Sequence, residues 1–572
     1  MKRITYLTSF LIAAVVLSSC GGLEKMKEEA SNLQYSVTPK VLEMHGNQVE
    51  YSIKGDIPAE WFNKKAIVEF TPVLKYNGEE TVLESKTFQG EKVEANNKVI
   101  AYETGSPIEF SGVIPYTENM RVAELEMRAV ATIKDKNLPL VSMKLADGVI
   151  STPTLVQNNP MPIILADKFK RVITNEKDAD IHYVIQRSNI KKSELTSEDI
   201  KLLEEFVKET NEKENYDFKG IEISSYASPD GPLDLNEKLS VKRKESADKY
   251  LAKVIGKAKI NDEDAEALYN MKTTAEDWDG FKVLVEQSKI EDKDLILRVL
   301  SMYSDPVVRE KEIKNIAATY KVLADDILPQ LRRSDIKVKV DVTGYSDEEL
   351  LDFAKNNPDT LNIEELLYAG KIETNLENKL AIFKSAAKKY DGCYRAFNNI
   401  AYVNILLGNL DDAKVAIEKA NELKEGDASV INNLGVIALM EGNKEAAEEY
   451  FVKATDAGNT VDYNLGIIKI MDGKYDAAVN YFQNHRTFNT ALAMLLAGKT
   501  DNAIKTIDVL EDEAAINYYL KAVCGARKTD DNIVLTNLRT AITKDASLKE
   551  LAKTDLEFYK YFENDTFKTI IE

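Results

Sequence analysis

Apolar and polar positions change their rhythm twice along the chain, and the changes mark out three blocks. From about Leu33 to Val156 the period is two: it is clean in Val49-Glu50-Tyr51-Ser52-Ile53 and partial in Ala66-Ile67-Val68-Glu69-Phe70 and Leu125-Glu126-Met127-Arg128-Ala129-Val130. Turn residues such as Tyr76-Asn77-Gly78 and Asp147-Gly148 punctuate these runs. Short alternating strands at this spacing predict an all-β sandwich over residues 33–158, with Trp61 and Phe62 as a packing anchor. The pattern is mixed over residues 159–345. Strands are expected at Ile181–Ile185, Gly220–Ser224 and Ile336–Val342, with a helix started by Ser197-Glu198-Asp199 and running through Phe206 and Val207. The span from 240 to 329 reads as several helices, giving an α+β domain with a helical insertion at about 255–330. Residues 346–572 read as helices with internal self-similarity, so the fold class expected is multidomain.

The turn after the second of these strands carries a recognisable motif. Ser225-Tyr226-Ala227-Ser228-Pro229-Asp230-Gly231 leads into Asn236-Glu237-Lys238-Leu239-Ser240-Val241-Lys242-Arg243. Gly231, Asn236, Leu239, Ser240 and Arg243 fall in register with the motif of the OmpA C-terminal-like family, which this block resembles. The resemblance implies a β/α/β/α-β sandwich that binds the peptidoglycan stem peptide without covalent chemistry. In that family an aspartate holds the diaminopimelate amine and the arginine holds the carboxylate. Here the aspartate position is Ser228, and a neutral hydroxyl gives an ammonium no charge-assisted bond. Asp230, two residues on, is a candidate substitute, although a two-residue shift changes its direction. Arg332 and Arg333 resemble the family's closing arginines. In the bland reading, Asn236 and Arg243 only brace a turn and a helix.

The helical half repeats. Asn399-Ile400-Ala401-Tyr402 aligns with Asn433-Leu434-Gly435-Val436 and Asn464-Leu465-Gly466-Ile467, about 34 and 31 residues apart. Each unit then has a glycine turn (Gly408, Gly442, Gly473), a small residue (Ala413, Ala447, Ala478) and a large apolar one (Ile417, Phe451, Phe482). This resembles the tetratricopeptide repeat (TPR). A helix pair from Ile363 to Tyr390 is expected to cap the near end. A shortened unit over Leu492–Ile507, a degenerate one over Tyr519–Ile542 and a closing helix at Leu548–Phe562 extend the array. Such solenoids present a concave face of first helices to protein partners. Asn398, Asn399, Tyr402, Asn432, Asn433, Tyr463 and Asn464 belong to those helices, and Asn399, Asn433 and Asn464 share one repeat position. An amide there is able to donate to and accept from an extended peptide backbone at once. The alternative is that these amides satisfy neighbouring helix ends.

The N-terminus supplies a location. Lys2 and Arg3 precede a short apolar run from Leu11 to Leu17, and Leu17-Ser18-Ser19-Cys20 follows. The run is short for a membrane span and reads as a secretion signal over residues 1–19. The tetrapeptide resembles the bacterial lipobox, which implies cleavage before Cys20, its acylation and a short tether over residues 20–32. Multiple acyl chains make such attachment stable. Gly21, in place of an aspartate, favours the outer membrane, and the absence of an acidic run after Cys20 favours a periplasm-facing protein.

Charge and composition then remove function classes. The net charge of −20 lies chiefly in the repeat half and disfavours nucleic acid as a partner. With three histidines and three cysteines, no metal site or cofactor is expected. Cys393 and Cys524 remain after processing, inside helical patterns, as small core residues or a disulfide pair. No nucleophile elbow, phosphate loop, zinc helix or kinase pattern is present, and His45, His182 and His485 fall in different blocks, so the chain reads as non-enzymatic. Two functions remain. One is an envelope scaffold recruiting outer-membrane or periplasmic proteins through the repeats. The other is a membrane-to-peptidoglycan tether acting through the central domain.

Overall fold

The computed structural model describes residues 22–76, 78–256 and 268–572. Cys20 and the expected secretion signal lie outside the described residues, as does Asn77 of the Tyr76-Asn77-Gly78 turn. The chain forms two compact units: residues up to Ala166 with Asn375–Glu572, and Asp167–Thr374.

In the first unit the N-terminal region is β-rich. The strand Gln48–Ile57 is the centre of a five-stranded sheet, pairing with Gln34–Thr38, Leu42–His45 and Ser106–Pro115, all antiparallel. A seven-stranded sheet is built on Ile67–Tyr76 and Ala123–Ile133. The period of two does what it predicts: Val49, Tyr51 and Ile53 are buried and Glu50 is exposed. Both sheets feed one apolar core with Phe70, Phe88 and Phe110, and in it Trp61 and Phe62 meet edge to face at 6.0 Å.

The rest of this unit is a run of helix pairs: Tyr394–Leu407 with Leu410–Leu423, Ala428–Met440 with Lys444–Lys453, Asn459–Met471 with Tyr475–Tyr481, Phe488–Leu496 with Thr500–Ile507, and Ala515–Lys528 with Asp531–Lys544. The expected closing helix over Leu548–Phe562 is instead the helix Leu548–Thr554 and the 3-10 turn Leu556–Tyr561, with a further helix Asp565–Ile571. Side-chain volume sets how closely each pair approaches. A Cβ on Gly435 would meet Phe451 at 2.6 Å, and one on Gly466 would meet Phe482 at 2.5 Å. The first pair holds Ala401 and Ile417 at the corresponding places, exchanging a larger small residue for a smaller large one. Cys393 and Cys524 are free thiols, and burial pushes Cys524 up to about 12. A disulfide between them is therefore not formed.

The second unit is α+β. Its sheet runs Val172–His182, Arg333–Thr343, Tyr216–Tyr226, Tyr269–Thr274, and only the last pair is parallel. The helices Glu198–Glu212 and Leu233–Ile255 cover it around Ile221, Ile223, Ile336 and Val338. Two features depart from the expected pattern. The first strand begins nine residues earlier than Ile181, in a polar stretch whose exposed face carries no alternation. The span expected to be wholly helical contains the strand Tyr269–Thr274, whose Tyr-Asn-Met-Lys-Thr-Thr sequence has no apolar run. The helices Trp278–Gln287, Lys293–Met302 and Pro306–Asn315 then gather around a small core of their own.

Candidate functional site

The close pairing at Gly435 and Gly466 turns the opposite face of each first helix outward, and that face carries the asparagines. They hold a strap, residues 157–165, which runs extended along the groove against the order of the repeats. The N–H of Leu165 donates to Asn399 Oδ1 (2.8 Å), and Asn399 Nδ2 donates back to the Leu165 carbonyl (3.0 Å). Asn433 makes the same pair of bonds with Ile163 (2.7 and 2.8 Å) and Asn464 with Met161 (2.7 and 3.0 Å). Asn489 forms a fourth rung on Gln157 (2.9 Å each way). The three rungs at 161, 163 and 165 use every second residue, a step of about 6.6 Å in extended chain.

A second set of amides backs the first. Asn464 Nδ2 donates to Asn432 Oδ1 (2.9 Å), Asn432 to Asn433 (3.1 Å), Asn433 to Asn398 (3.0 Å) and Asn398 to Asn399 (3.1 Å). Asn398 and Asn432 also donate to the carbonyls of Ile163 and Met161 (3.1 Å each). Asn398, Asn399, Asn432, Asn433, Asn464 and Asn489 are all at most 1 % exposed. A buried amide chain of this kind fixes the orientation of each member, because reversing one would set donor against donor. Tyr463 donates to the Asn159 side chain (2.8 Å). Tyr402 is half-buried and makes no rung; burial raises its phenol above the usual range.

Both ends of the strap are held. Before it, Thr152 donates its hydroxyl to Glu557, which also receives Arg527 Nε at 3.0 Å. After it, Arg395 donates to the Ala166 carbonyl (3.2 Å). Pro160 and Pro162 occupy the alternate positions, where no rung needs an N–H, and their fixed φ favours the extended form. The boundary expected at residues 158–159 falls inside this strap.

The second constellation, in the α+β unit, is closed on itself. Ser228 donates to Asp230, Arg332 Nε donates to Ser228 Oγ (3.1 Å), and Arg332 Nη2 pairs with Asp230 (2.9 Å). Asn236 Nδ2 spans the turn, donating to the carbonyls of Ser228 (3.1 Å) and Gly231 (3.0 Å). Arg243, 1 % exposed, donates Nη1 to the Tyr226 carbonyl (2.7 Å) and Nε to the Arg187 carbonyl (3.1 Å), and lies 5.1 Å from the Tyr183 ring centre. Burial pushes its guanidinium down to about 10, so it stays charged at neutral pH. Leu239 and Ser240 are buried in the same helix, Ser240 donating to the Glu237 carbonyl (2.9 Å). Arg333 pairs with Asp277 (2.9 Å). The space left among these residues is about 20 Å³, room for a single water.

Of the residues singled out in sequence, Asn399, Asn433 and Asn464 come together on one strand of backbone. Ser228, Asp230 and Gly231 form one turn, which Asn236 of the following helix braces, and Arg243 of that helix bonds the Tyr226 carbonyl just before the turn. Asn489 and the strap itself, neither of them a sequence candidate, complete the ladder. The fourth unit starts earlier than its expected bound at Leu492, and Asn489-Thr490-Ala491 repeats the asparagine-x-small spacing of the other rungs.

Residues 394–427 and 428–457 match the family model described as tetratricopeptide repeat. A comparison with curated proteins finds no match. Among solved structures the chain is similar to a tetratricopeptide repeat protein from Parabacteroides merdae, at 18 % identity over 37 % of this chain and 91 % of that one, with a TM-score of 0.28. It is similar also to PilF of Pseudomonas aeruginosa, at 17 % identity over 38 % and 97 %, with a TM-score of 0.28. A third likeness is YrrB, a TPR protein with an unusual peptide-binding site, at 22 % identity over 31 % and 97 %, with a TM-score of 0.26. Residues 394–457 thus carry two tetratricopeptide repeats, within a longer C-terminal run of helix pairs.

Proposed function

We propose that the protein is a non-enzymatic lipoprotein scaffold of the bacterial envelope, anchored in the outer membrane through Cys20 and facing the periplasm. It binds outer-membrane or periplasmic protein partners through the groove of its repeats. The observation that carries the binding part is the amide ladder. Four asparagines each bond both the donor and the acceptor of one residue in an extended chain, which is recognition of a peptide backbone. Cross-linking in intact cells, followed by affinity purification from membranes, tests it. Asn433→Ala combined with Asn464→Ala should lower partner recovery, and unchanged recovery would sink the groove as the binding surface. Cys20→Ser should move the protein out of the membrane fraction and abolish acyl labelling.

The OmpA-like resemblance of residues 159–345 supports the alternative of a peptidoglycan tether less well. Asp230 is already neutralised by Arg332, Arg243 is bonded to carbonyls, and the cavity has no room for a stem peptide. Purified sacculi should sediment without the protein. Sedimentation that is lost in Arg243→Lys, with folding retained, would restore the tether.

A further inference from the structure

The six asparagines are buried beneath the strap, and with the groove emptied their amides would exchange strap bonds for bonds to water. In the isolated chain the occupant of the groove is the strap. Its hold at the three central rungs is on backbone groups, while the side chains of Asn158 and Asn159 add bonds to the Leu439 carbonyl and to Tyr463. The rungs read the N–H and C=O of Met161, Ile163 and Leu165 and leave the apolar side chains half-buried. Any extended segment offering an N–H at every second residue satisfies the same amides.

Resting on the reading of the groove as a peptide-binding surface, we propose that residues 157–165 are a displaceable occupant in cis. A partner enters by exchanging its own extended segment for the strap. The partner segment is apolar, runs against the repeat order as the strap does, and has no proline at the rung positions. Prolines are tolerated only between the rungs, as at Pro160 and Pro162. Because the strap is tethered, its effective concentration sets the threshold that a partner must exceed. The closed groove also keeps an adhesive strand acceptor from pairing with arbitrary extended chains.

The probe is a fluorescent synthetic peptide of residues Val156–Ala166, added to the full chain. In one variant Met161→Pro and Ile163→Pro together remove two rung donors from the resident strap. The variant should bind the peptide on the order of 100-fold more tightly than the unaltered chain, and adding Asn433→Ala with Asn464→Ala should abolish that binding. Equal binding to the unaltered chain and the variant overturns cis occupancy while leaving the groove a peptide site. Binding to neither overturns both readings.

Hydrogen exchange on the unaltered chain gives a second measurement that needs no variant to fold. The amides of Met161, Ile163 and Leu165 should exchange by local opening, faster than the first-helix amides of Ala428–Met440. Exchange of the strap only together with those helices would make it a permanent part of the core and overturn the proposal.

Discussion

The amide ladder of the solenoid and the serine–aspartate–arginine cluster of the α+β unit are both buried polar constellations, and they solve burial in opposite ways. In the α+β unit, charges are paired within the cluster and the arginine is spent on carbonyls of adjacent loops, so the cluster holds its own unit together. In the solenoid, neutral amides face outward from the helices and are completed only by a separate stretch of chain. A buried polar group with its partners in its own fold is architecture. One paired to the backbone of an extended strap is the arrangement on which the binding proposal rests.

The sharpest way to break this contrast is to delete the arginine. Arg243→Ala leaves the Tyr226 and Arg187 carbonyls without their donor and opens a large hole beside Tyr183. A loss of about 3–5 kcal/mol is expected, from two carbonyls left without a donor and the cavity the side chain leaves. The two tryptophans divide between the units, Trp61 in one and Trp278 in the other. Denaturant unfolding followed by Trp278 fluorescence in a Trp61→Phe background should show the loss. A change under about 1 kcal/mol would mean that Arg243 is free for a ligand after all.

The ladder should respond less in stability and more locally. Asn433→Ala removes both bonds to Ile163 and two links of the amide chain. About 1–3 kcal/mol is expected, felt mainly as faster amide exchange at Ile163 and its neighbours in the strap. The second-unit transition should not move. If strap protection survives the substitution, the other rungs hold the chain without Asn433 and the ladder is not a cooperative unit.

What could be read from the sequence follows from which interactions are local. The strand Gln48–Ile57 is legible because one face is buried and the period of two survives. Asn399, Asn433 and Asn464 are legible because the repeat places one residue type at one helical position. Asn489 escapes because its unit is shortened to 25 residues from Asn464. The strap escapes for a deeper reason. Nothing in the periodicity of Gln157-Asn158-Asn159-Pro160-Met161-Pro162 points to asparagines some 300 residues away, and its prolines read as a linker. In the α+β unit the motif residues are legible one by one, but which partner each takes depends on Arg187, Tyr226 and Arg332, brought in by the tertiary fold. The strand Tyr269–Thr274 is invisible because a short polar edge strand carries no pattern.

The smallest expected effect separates the two constellations by pH. The ladder contains no group that titrates between pH 4 and 8, so strap protection should be flat across that range once intrinsic exchange rates are corrected. The α+β unit does contain one. Burial pushes the Asp335 carboxyl up to about 6 against the pull of Arg333, with Asp180 adding to the rise. A carboxyl whose folded value lies above its unfolded value of 3.8 favours the folded state most when protonated. Its favourable contribution is complete below pH 3.8 and fades as pH rises to about 6. The side chain remains 37 % exposed, so solvent screening should reduce the effect to about 1 kcal/mol. Asp335→Asn should therefore flatten the slope of Trp278-detected stability between pH 4 and 7 and leave strap exchange untouched. A slope that persists in the variant would place the titrating group elsewhere in the unit, and a slope in the strap would show that the amide ladder is not the neutral partner of this pair.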